Sequence, residues 1–330
     1  MKTVLIIFGT RPEAIKLAPV IKQLKKQRSV KTIVCSTGQH KEMLDQVLCL
    51  FKIKADINLG LMHSNQNLYD ITTGSLKKLD SVFNKIKPDL LIVQGDTTTA
   101  FTAALAAYYK KIKIAHIEAG LRTNNIFSPY PEEVNRRFIS VLTDINFAPT
   151  EHAAQNLVRE GIPQKNVYIT GNTVIDAVLE IKSILDKKKN SIALRNKLVR
   201  KYGVNLSEKE FVLVTLHRRE KFGERLQHVL KVIDKLSQNY SHLNFIYPVH
   251  LNPNVRKSAK SILKNRANIF LIPPLDYLEF NFLMKNCRFI ISDSGGVQEE
   301  CFVYKKPVIV LRDLTERSEA VDAGYAFVTG

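Results

Sequence analysis

The chain has 330 residues, of which 45% are hydrophobic, and a formal net charge of +18 at pH 7. This length exceeds what one hydrophobic core usually serves, so two domains are predicted. No run of about 20 uncharged apolar residues is present, so we expect no membrane span. The lysines are scattered, and no zinc-finger, basic-region or aromatic RNA-binding motif occurs, so we expect no nucleic-acid partner. A basic surface also suits an anionic metabolite.

The four cysteines, Cys35, Cys49, Cys287 and Cys301, show neither CxxC spacing nor a Cys/His ligand pattern. We therefore expect reduced thiols, no metal site and a cytoplasmic location. The chain begins MKTVLIIFGTRPE, in which a short apolar run is followed at once by charged residues. This pattern predicts a first β-strand rather than a secretory signal.

Short apolar runs alternate with helix-length segments along the whole chain. They predict strands in the first half at Val4–Phe8, Thr32–Ser36, Leu90–Gln94, Ile112–Ile117, Asn146–Pro149 and Val167–Thr170. They predict strands in the second half at Val212–Leu216, Asn244–Val249, Ile269–Ile272, Phe289–Ser292, Val308–Leu311 and Ala326–Val328. Such alternation indicates βα units with parallel sheets that are buried on both faces.

A polar, helix-like stretch, Val174–Lys201, separates the two groups of strands. We predict an α/β fold of two doubly wound, Rossmann-like domains that face a cleft. The N-terminal domain would span residues 1–172 and the C-terminal domain residues 173–330. Ligands of such sheets bind at the carboxyl ends of the strands. Polar residues that directly follow strands are therefore the candidates for a functional site.

Two cations lie in or near the turn after the first strand, in the sequence GTRPEAIK. Pro12 and Glu13 are typical of the first turn of a helix. Arg11 would then point from the loop toward a ligand, and its planar fork can grip a phosphate group. Lys16, near the start of the same helix, is the second candidate. Both residues could instead be ordinary surface charges.

Three acids of the first half are candidates for acid/base chemistry. Asp96 lies in QGDTTT, where it equally suits a helix N-cap, and Glu132 lies in PYPEE, where it equally suits a first helical turn. Glu118 follows a buried strand and precedes Ala119-Gly120, where a cap is less needed. Clustered carboxylates raise the pKa of at least one member, which suits proton transfer near neutral pH.

A glycine-containing turn follows a strand of the second half. Its residues Ser294, Gly295 and Gly296 precede a helix, where free backbone N–H groups can bind phosphate. Glu300 falls one turn into that helix, within reach of ribose hydroxyls. An ordinary βα turn with a capping serine is the alternative for Ser-Gly-Gly alone. The chain lacks GxGxxG and GxxxxGK[ST], which argues against NAD and ATP, so no cofactor is expected.

Two further residues of the second half are candidates. His217 follows the strand Val212–Leu216 and precedes two arginines, which suits a diphosphate contact or a proton donor. Phe280, in PLDYLEF, could stack on a base or pack within a helix.

Taken together, these motifs resemble the non-hydrolysing UDP-N-acetylglucosamine 2-epimerases, whose fold is like that of the GT-B glycosyltransferases. The similarity runs from the N-terminus to about Ala323. The stretches that carry it are FGTRPEAIKLAP, STGQHKEMLDQVL, VQGDTTTA, HIEAGLRT, SPYPEEVNRR, PTEHAAQNL, TGNTVIDA, TLHRRE, PVHLNP, SDSGGVQEE and KKPVIVLRD. Family members normally continue past the position that matches Gly330, so we expect the family's C-terminal tail to be lacking.

The resemblance implies reversible conversion of UDP-N-acetylglucosamine to UDP-N-acetylmannosamine, by anti elimination of UDP to 2-acetamidoglucal and re-addition. It implies that the acid/base and catalytic residues are Asp96, Glu118, Glu132 and His217. It implies that the nucleotide contacts are Arg11, Lys16, Arg136, Ser294, Gly295, Gly296 and Glu300. A regulatory second substrate site is matched in part by Gln39, His40 and Glu42. We also expect a homodimer and a product used for cell-surface polysaccharide precursors.

Other functions stay open from the sequence. A hydrolysing 2-epimerase would release free N-acetylmannosamine and UDP, and an inactive relative would only bind the nucleotide sugar. Relatives that act on diacetamido-uronic sugars share the scaffold. A GT-B glycosyltransferase is disfavoured by the three acids of the first half, and a nucleic-acid binder rests on charge alone.

Overall fold

The computed structural model describes residues 1–38, 41–61, 66–204, 206, 209–216, 224–264, 266–312, 321 and 323–329, with only the backbone of residues 41–43. The chain divides into two compact units, Met1–Ala177 and Val178–Gly330. The division falls within helix α7 (Thr173–Leu185), whose first residue is where the predicted second domain begins.

The first domain is built on a sheet of seven parallel strands in the order β3-β2-β1-β4-β5-β6-β7. The strands are β1 (Lys2–Phe8), β2 (Val30–Ser36), β3 (Ile57–Asn58), β4 (Leu90–Gln94), β5 (Lys113–Ile117), β6 (Ile145–Ala148) and β7 (Val167–Ile169). The order runs outward from β1 in both directions, as in doubly wound folds. All six strands predicted for this half are present, and β3 is additional.

The helices of the first domain connect successive strands. They are α1 (Arg11–Lys26), α2 (Lys41–Leu50), α3 (Leu68–Ile86), α4 (Thr98–Tyr109), α5 (Glu132–Leu142) and α6 (Glu151–Arg159), with a 3-10 turn at Gln164–Asn166. Polar caps mark several starts: the side chains of Asn67, Thr97 and Thr150 accept backbone N–H groups of α3, α4 and α6. The chain therefore turns into each of these helices directly after a polar residue.

The core of the first domain lies where α3 and α4 pack on the central strands. Leu5 and Ile7 of β1 and Leu91 and Val93 of β4 are fully buried there. Helix α4 contributes alanines, four of which are fully buried: Ala100, Ala103, Ala104 and Ala107. These small side chains allow α4 to lie close to the sheet. The turn between β4 and α4 is thereby held against the carboxyl edge of the sheet.

The second domain contains a sheet of six parallel strands in the order β10-β9-β8-β11-β12-β13. The strands are β8 (Phe211–Thr215), β9 (Asn244–Pro248), β10 (Ile269–Ile272), β11 (Ile290–Ser292), β12 (Val308–Val310) and β13 (Ala326–Val328). The helices are α8 (Lys188–Tyr202), α9 (Glu224–Asn239), α10 (Pro253–Leu263), α11 (Tyr277–Asn286) and α12 (Gly295–Glu300), with a 3-10 turn at Cys301–Tyr304. All six predicted strands are present, and the predicted helical stretch Val174–Lys201 forms α7 and α8.

The two-domain α/β prediction is confirmed, since each domain has the Rossmann-like order of strands and helices. Parallel pairing fixes which residues meet at the edge of the first sheet: Phe8 pairs with Ser36, and Gln94 with Ile117. The residues that follow β1, β4 and β5 therefore emerge at the same edge. Within the described residues, no helix is long and apolar enough to cross a membrane.

Candidate active site

Glu118 is held by two buried partners at the end of β5. Lys16 Nζ donates to both of its carboxylate oxygens, at 2.5 Å to Oε1 and 2.7 Å to Oε2, and Gln94 Nε2 donates to Oε2. The side chains of Lys16 and Glu118 are only 10% and 6% exposed. The backbone of Glu118 has φ 66°, a left-handed conformation that costs a side-chain-bearing residue on the order of 1–2 kcal/mol. Such strain at a buried acid is typical of functional sites.

Asp96 lies in the neighbouring turn and is paired with a buried arginine. Arg136 Nη2 of α5 donates to Asp96 Oδ2, and Arg136 Nη1 lies 3.3 Å from Glu133 Oε2. The alternative role of Asp96 as a helix N-cap is wrong, because Thr97 caps α4 by accepting from Ala100 N at 3.0 Å. The Asp96 side chain is 28% exposed, so its carboxylate is accessible while it is paired.

The turn that precedes Asp96 lies beside Glu118. A Cβ placed on Gly95, the residue before Asp96, would be 3.9 Å from Glu118 Oε2. Gly95 has φ +71°, a conformation that glycine adopts without strain. The Gly95-Asp96 turn therefore runs directly past the Glu118 carboxylate.

Glu132 is the first residue of α5 and is half-buried. It lies four residues before Arg136, a spacing that places two residues on the same face of a helix. Its neighbour Glu133 is fully buried and accepts from the backbone N–H groups of Thr123 at 3.1 Å and Asn124 at 3.2 Å. Of the two adjacent glutamates, Glu133 thus stabilises the preceding loop, and Glu132 stays the candidate for chemistry.

Glu13 is buried beneath the turn that follows β1. The sequence predicts it only as an acid in the first turn of a helix. Glu13 is 1% exposed and accepts from Gly9 N at 3.0 Å, Thr10 N at 2.7 Å and Thr97 Oγ1 at 2.8 Å. Burial raises its pKa, although these donors act in the opposite direction. Arg11 follows in the same turn as the first residue of α1 and is half-buried.

His116 is a second group that sequence reasoning missed, because it lies inside the apolar run of β5. Its ring is fully buried, and its Nε2 lies 2.7 Å from the carbonyl oxygen of Gly95. Burial lowers the pKa of His116 to about 4, so the ring is neutral at pH 7 and Nε2–H donates to that carbonyl. Within the described part of the chain, Nδ1 has no hydrogen-bond partner, which agrees with this tautomer.

In the second domain, the candidate nucleotide residues lie around α12. Ser294 is at the N-cap position, Gly295 and Gly296 begin the helix, and Glu300 ends it. The Glu300 side chain accepts from the hydroxyl of buried Tyr277 at 3.2 Å. Glu300 is 8% exposed, and the bond from Tyr277 holds its carboxylate in one orientation. Phe280 lies on α11 and is half-buried.

Several predicted site residues are outside the described residues. These are His217, Gln39 and His40, and the side chain of Glu42, so their roles stay predictions. Lys16 and Arg136, which the resemblance assigns to the nucleotide, form ion pairs with acids of the first domain.

The four cysteines are free thiols. Cys49 is exposed on α2, whereas Cys35, Cys287 and Cys301 are buried, and burial raises the pKa of each of these three to about 12. The described residues contain no group of three or more His, Cys, Asp or Glu side chains that could hold a metal ion.

Two Rossmann-like domains, with paired acids at the carboxyl edge of the first sheet, define a GT-B-like α/β protein. The family model described as UDP-N-acetylglucosamine 2-epimerase matches residues 22–330. A UDP-N-acetylglucosamine 2-epimerase from Campylobacter jejuni is 49% identical over 331 residues, covering 100% of this chain and 86% of the relative. The chain therefore belongs to the UDP-N-acetylglucosamine 2-epimerase family, which confirms the resemblance carried by its motifs.

Solved structures agree with this assignment. The UDP-GlcNAc 2-epimerase of Neisseria meningitidis, bound to UDP-GlcNAc, has a TM-score of 0.95 and 48% identity, covering 99% of this chain and 87% of that one. The UDP-GlcNAc 2-epimerase of Methanocaldococcus jannaschii, in complex with UDP-GlcNAc and UDP, has a TM-score of 0.86 and 36% identity, covering 100% and 89%.

Proposed function

We propose that this protein interconverts UDP-N-acetylglucosamine and UDP-N-acetylmannosamine without an added cofactor and without releasing the sugar by hydrolysis. The observation that carries the proposal is that Glu118 and Asp96, which follow neighbouring strands at one edge of the first sheet, are each bonded to a buried cation. Family membership supports the substrate, since the relatives from N. meningitidis and M. jannaschii bind UDP-GlcNAc.

The acids suit the chemistry that the reaction needs. The C2 proton of such a sugar is only weakly acidic, so a base must remove it as the bond from C1 to the diphosphate oxygen breaks. Anti elimination gives UDP and 2-acetamidoglucal, and return of a proton to the other face of C2 with re-addition of UDP gives the epimer. We assign the proton transfers to Asp96, Glu118 and Glu132, with His217 as a further catalytic residue.

We propose that the nucleotide is bound by cationic side chains of the first domain and by the turn that begins α12 in the second domain. Arg11, half-buried in the turn after β1, would stabilise the departing diphosphate, and electrostatic stabilisation of this kind is a large term in catalysis. In the second domain we assign phosphate and ribose contacts to the segment of α12, and base packing to Phe280. The residues assigned to the nucleotide are Arg11, Lys16, Arg136, Phe280, Ser294, Gly295, Gly296 and Glu300.

We further propose a cytoplasmic homodimer that supplies a precursor for cell-surface polysaccharide, with a regulatory substrate site that includes Gln39, His40 and Glu42. An apolar surface on α4 and α5 supports self-association. Tyr108 and Tyr109 are 57% and 68% exposed, and Phe138 and Val141 are 52% and 78% exposed. Sedimentation should give twice the chain mass, and Val141→Arg should reduce it toward one chain.

The test of activity is proton NMR of UDP-N-acetylglucosamine incubated with the protein in deuterated water. We expect loss of the C2 proton signal together with the UDP-manno isomer. Release of free N-acetylmannosamine and UDP would instead establish hydrolysis, and no exchange would leave a protein that only binds.

A matched pair of variants tests the assignment of Glu118. Glu118→Gln should abolish C2 exchange and leave UDP binding nearly intact, whereas Glu151→Gln, an exposed acid on α6, should retain exchange. Full exchange in Glu118→Gln would remove this acid from the mechanism.

A further inference from the structure

The turn that carries Asp96 is bonded at three successive residues by three buried side chains. The Gly95 carbonyl accepts from His116 Nε2, the Asp96 carbonyl accepts from Asn135 Nδ2 at 2.9 Å, and the Thr97 hydroxyl donates to Glu13. The three side chains come from β5, α5 and α1. The carbonyl groups of an ordinary surface turn bond to water, so such a turn does not need three buried side chains as hydrogen-bond partners.

Asn135 gives the Asp96 peptide a fixed position relative to α5. Asn135 is 6% exposed, and the next residue of the helix, Arg136, binds the Asp96 carboxylate. Helix α5 therefore holds both the main chain and the side chain of Asp96. A change in the main chain of the turn would move the carboxylate away from its guanidinium partner.

The bond from Thr97 to Glu13 has a defined direction. Thr97 Oγ1 already accepts from Ala100 N, so its hydrogen is directed to Glu13 Oε1. The other oxygen of Glu13 accepts from Gly9 N and Thr10 N. One buried carboxyl group thus connects the turn that carries Asp96 to the turn that leads into Arg11.

We propose that His116, Asn135 and Glu13 are positioning residues that hold the Gly95-Asp96-Thr97 turn, and with it the Asp96 carboxylate, in the single orientation that proton transfer requires. The proposal rests on the proposed function, since it deepens the role of Asp96 in that site. None of the three needs to touch the substrate. They act through Asp96.

The reason for such a support is geometric. Gly95 at φ +71° leaves the turn with a flexible residue directly before the acid. Proton transfer requires the acid within hydrogen-bond reach of the C2 proton. Displacement of a catalytic group by about 1 Å can cost on the order of 100-fold in rate. Three interior bonds at successive residues remove the freedom that Gly95 would otherwise allow.

The test uses two pairs of variants, each with one member that removes a bond and one that keeps it. His116→Leu removes the donor to Gly95, whereas the amide of His116→Gln places a donor near the position of Nε2. Thr97→Val removes the bond to Glu13 together with the cap of α4, whereas Thr97→Ser keeps both. Either pair decides the question if a member of the other fails to fold.

The measurements are kcat and KM for C2 exchange, the Kd for UDP, and amide hydrogen exchange of the peptide that covers residues 94–101. We expect kcat to fall about 10- to 100-fold in His116→Leu and Thr97→Val, with KM and Kd within about twofold of the original chain. We expect His116→Gln and Thr97→Ser to recover kcat to within about threefold. Amide exchange of the turn should accelerate only in the Leu and Val variants.

Two results would overturn the proposal. One is an unchanged kcat in both bond-removing variants. The other is a fall that the Gln and Ser variants share equally, because that would reflect general damage to the domain. A failure of the proposed function is distinguishable, since the original chain would then show no C2 exchange at all. In that case, equal rates of amide hydrogen exchange at residues 94–101 in all four variants would still show that these side chains do not hold the turn.

Discussion

Replacement of His116 by glutamine should remove one source of acid sensitivity from the first domain. In the folded chain burial lowers the pKa of His116 from an ordinary 6.5 to about 4. The folded state therefore binds fewer protons than the unfolded state between these values, and stability is lost as the pH falls from 6.5 toward 4. The arginines Arg122 and Arg136 act in the same direction as burial, whereas the Gly95 carbonyl and Asp96 oppose it.

The size of the effect follows from these two pKa values. At about pH 7.5 the ring is neutral in both states, and His116 contributes nothing to the pH dependence. At about pH 5 it is mostly protonated when unfolded and mostly neutral when folded, which destabilises the fold by about 2 kcal/mol. Glutamine keeps a donor for Gly95 and does not titrate, so His116→Gln lacks this loss.

The assay is urea unfolding followed by circular dichroism at both pH values. We expect the free energy of unfolding of His116→Gln, relative to the original chain, to rise by about 2 kcal/mol between pH 7.5 and 5. Comparison with the original chain cancels the opposite contribution of Glu13, whose raised pKa favours the folded state in acid. His152→Gln, at an exposed position on α6, is the control for loss of a histidine as such. A relative stability of His116→Gln that is independent of pH would refute the reasoning.

Two further pairs of variants test local features. Gly120→Ala should destabilise the first domain by more than about 4 kcal/mol, since its Cβ would lie 2.1 Å from a backbone carbonyl oxygen of α6. Gly161→Ala, at the same φ of +89° with nothing within 4 Å, should cost only about 1–2 kcal/mol, and similar melting temperatures for the two would contradict this. Tyr277→Phe should weaken UDP binding about threefold to tenfold by releasing Glu300, as measured by calorimetry. Tyr304→Phe, whose hydroxyl bonds elsewhere, should not weaken it, and equal effects of both would exclude the Glu300 contact.

The architecture could be predicted because parallel strands buried on both faces leave continuous apolar runs. All twelve predicted strands are present, with ends that differ by no more than two residues from the predicted ones. The strand β3 was missed because Ile57–Asn58 is two residues long and has no apolar run around it. It pairs with β2 at the edge of the sheet, where partners rather than local sequence decide strand formation.

The identities of the acids could be predicted, but their partners could not. Asp96 and Thr97 are both good N-cap residues, so local sequence could not decide between them, and the choice follows from Arg136, 40 residues further along the chain. Glu13 has the usual place of an acid in a first helical turn, yet its burial and its bond to Thr97 depend on the neighbouring strand. Such pairings arise from tertiary packing, which periodicity and spacing do not report.

The distribution of the cysteines makes the protein convenient for labelling. Cys49 is exposed, whereas the three buried thiols, with pKa values of about 12, present almost no thiolate at neutral pH. A maleimide dye or spin label should therefore attach at one place in the native chain without mutagenesis. That place is on α2, the helix that also contains Glu42, so the attached probe would report on the neighbourhood of the proposed regulatory site.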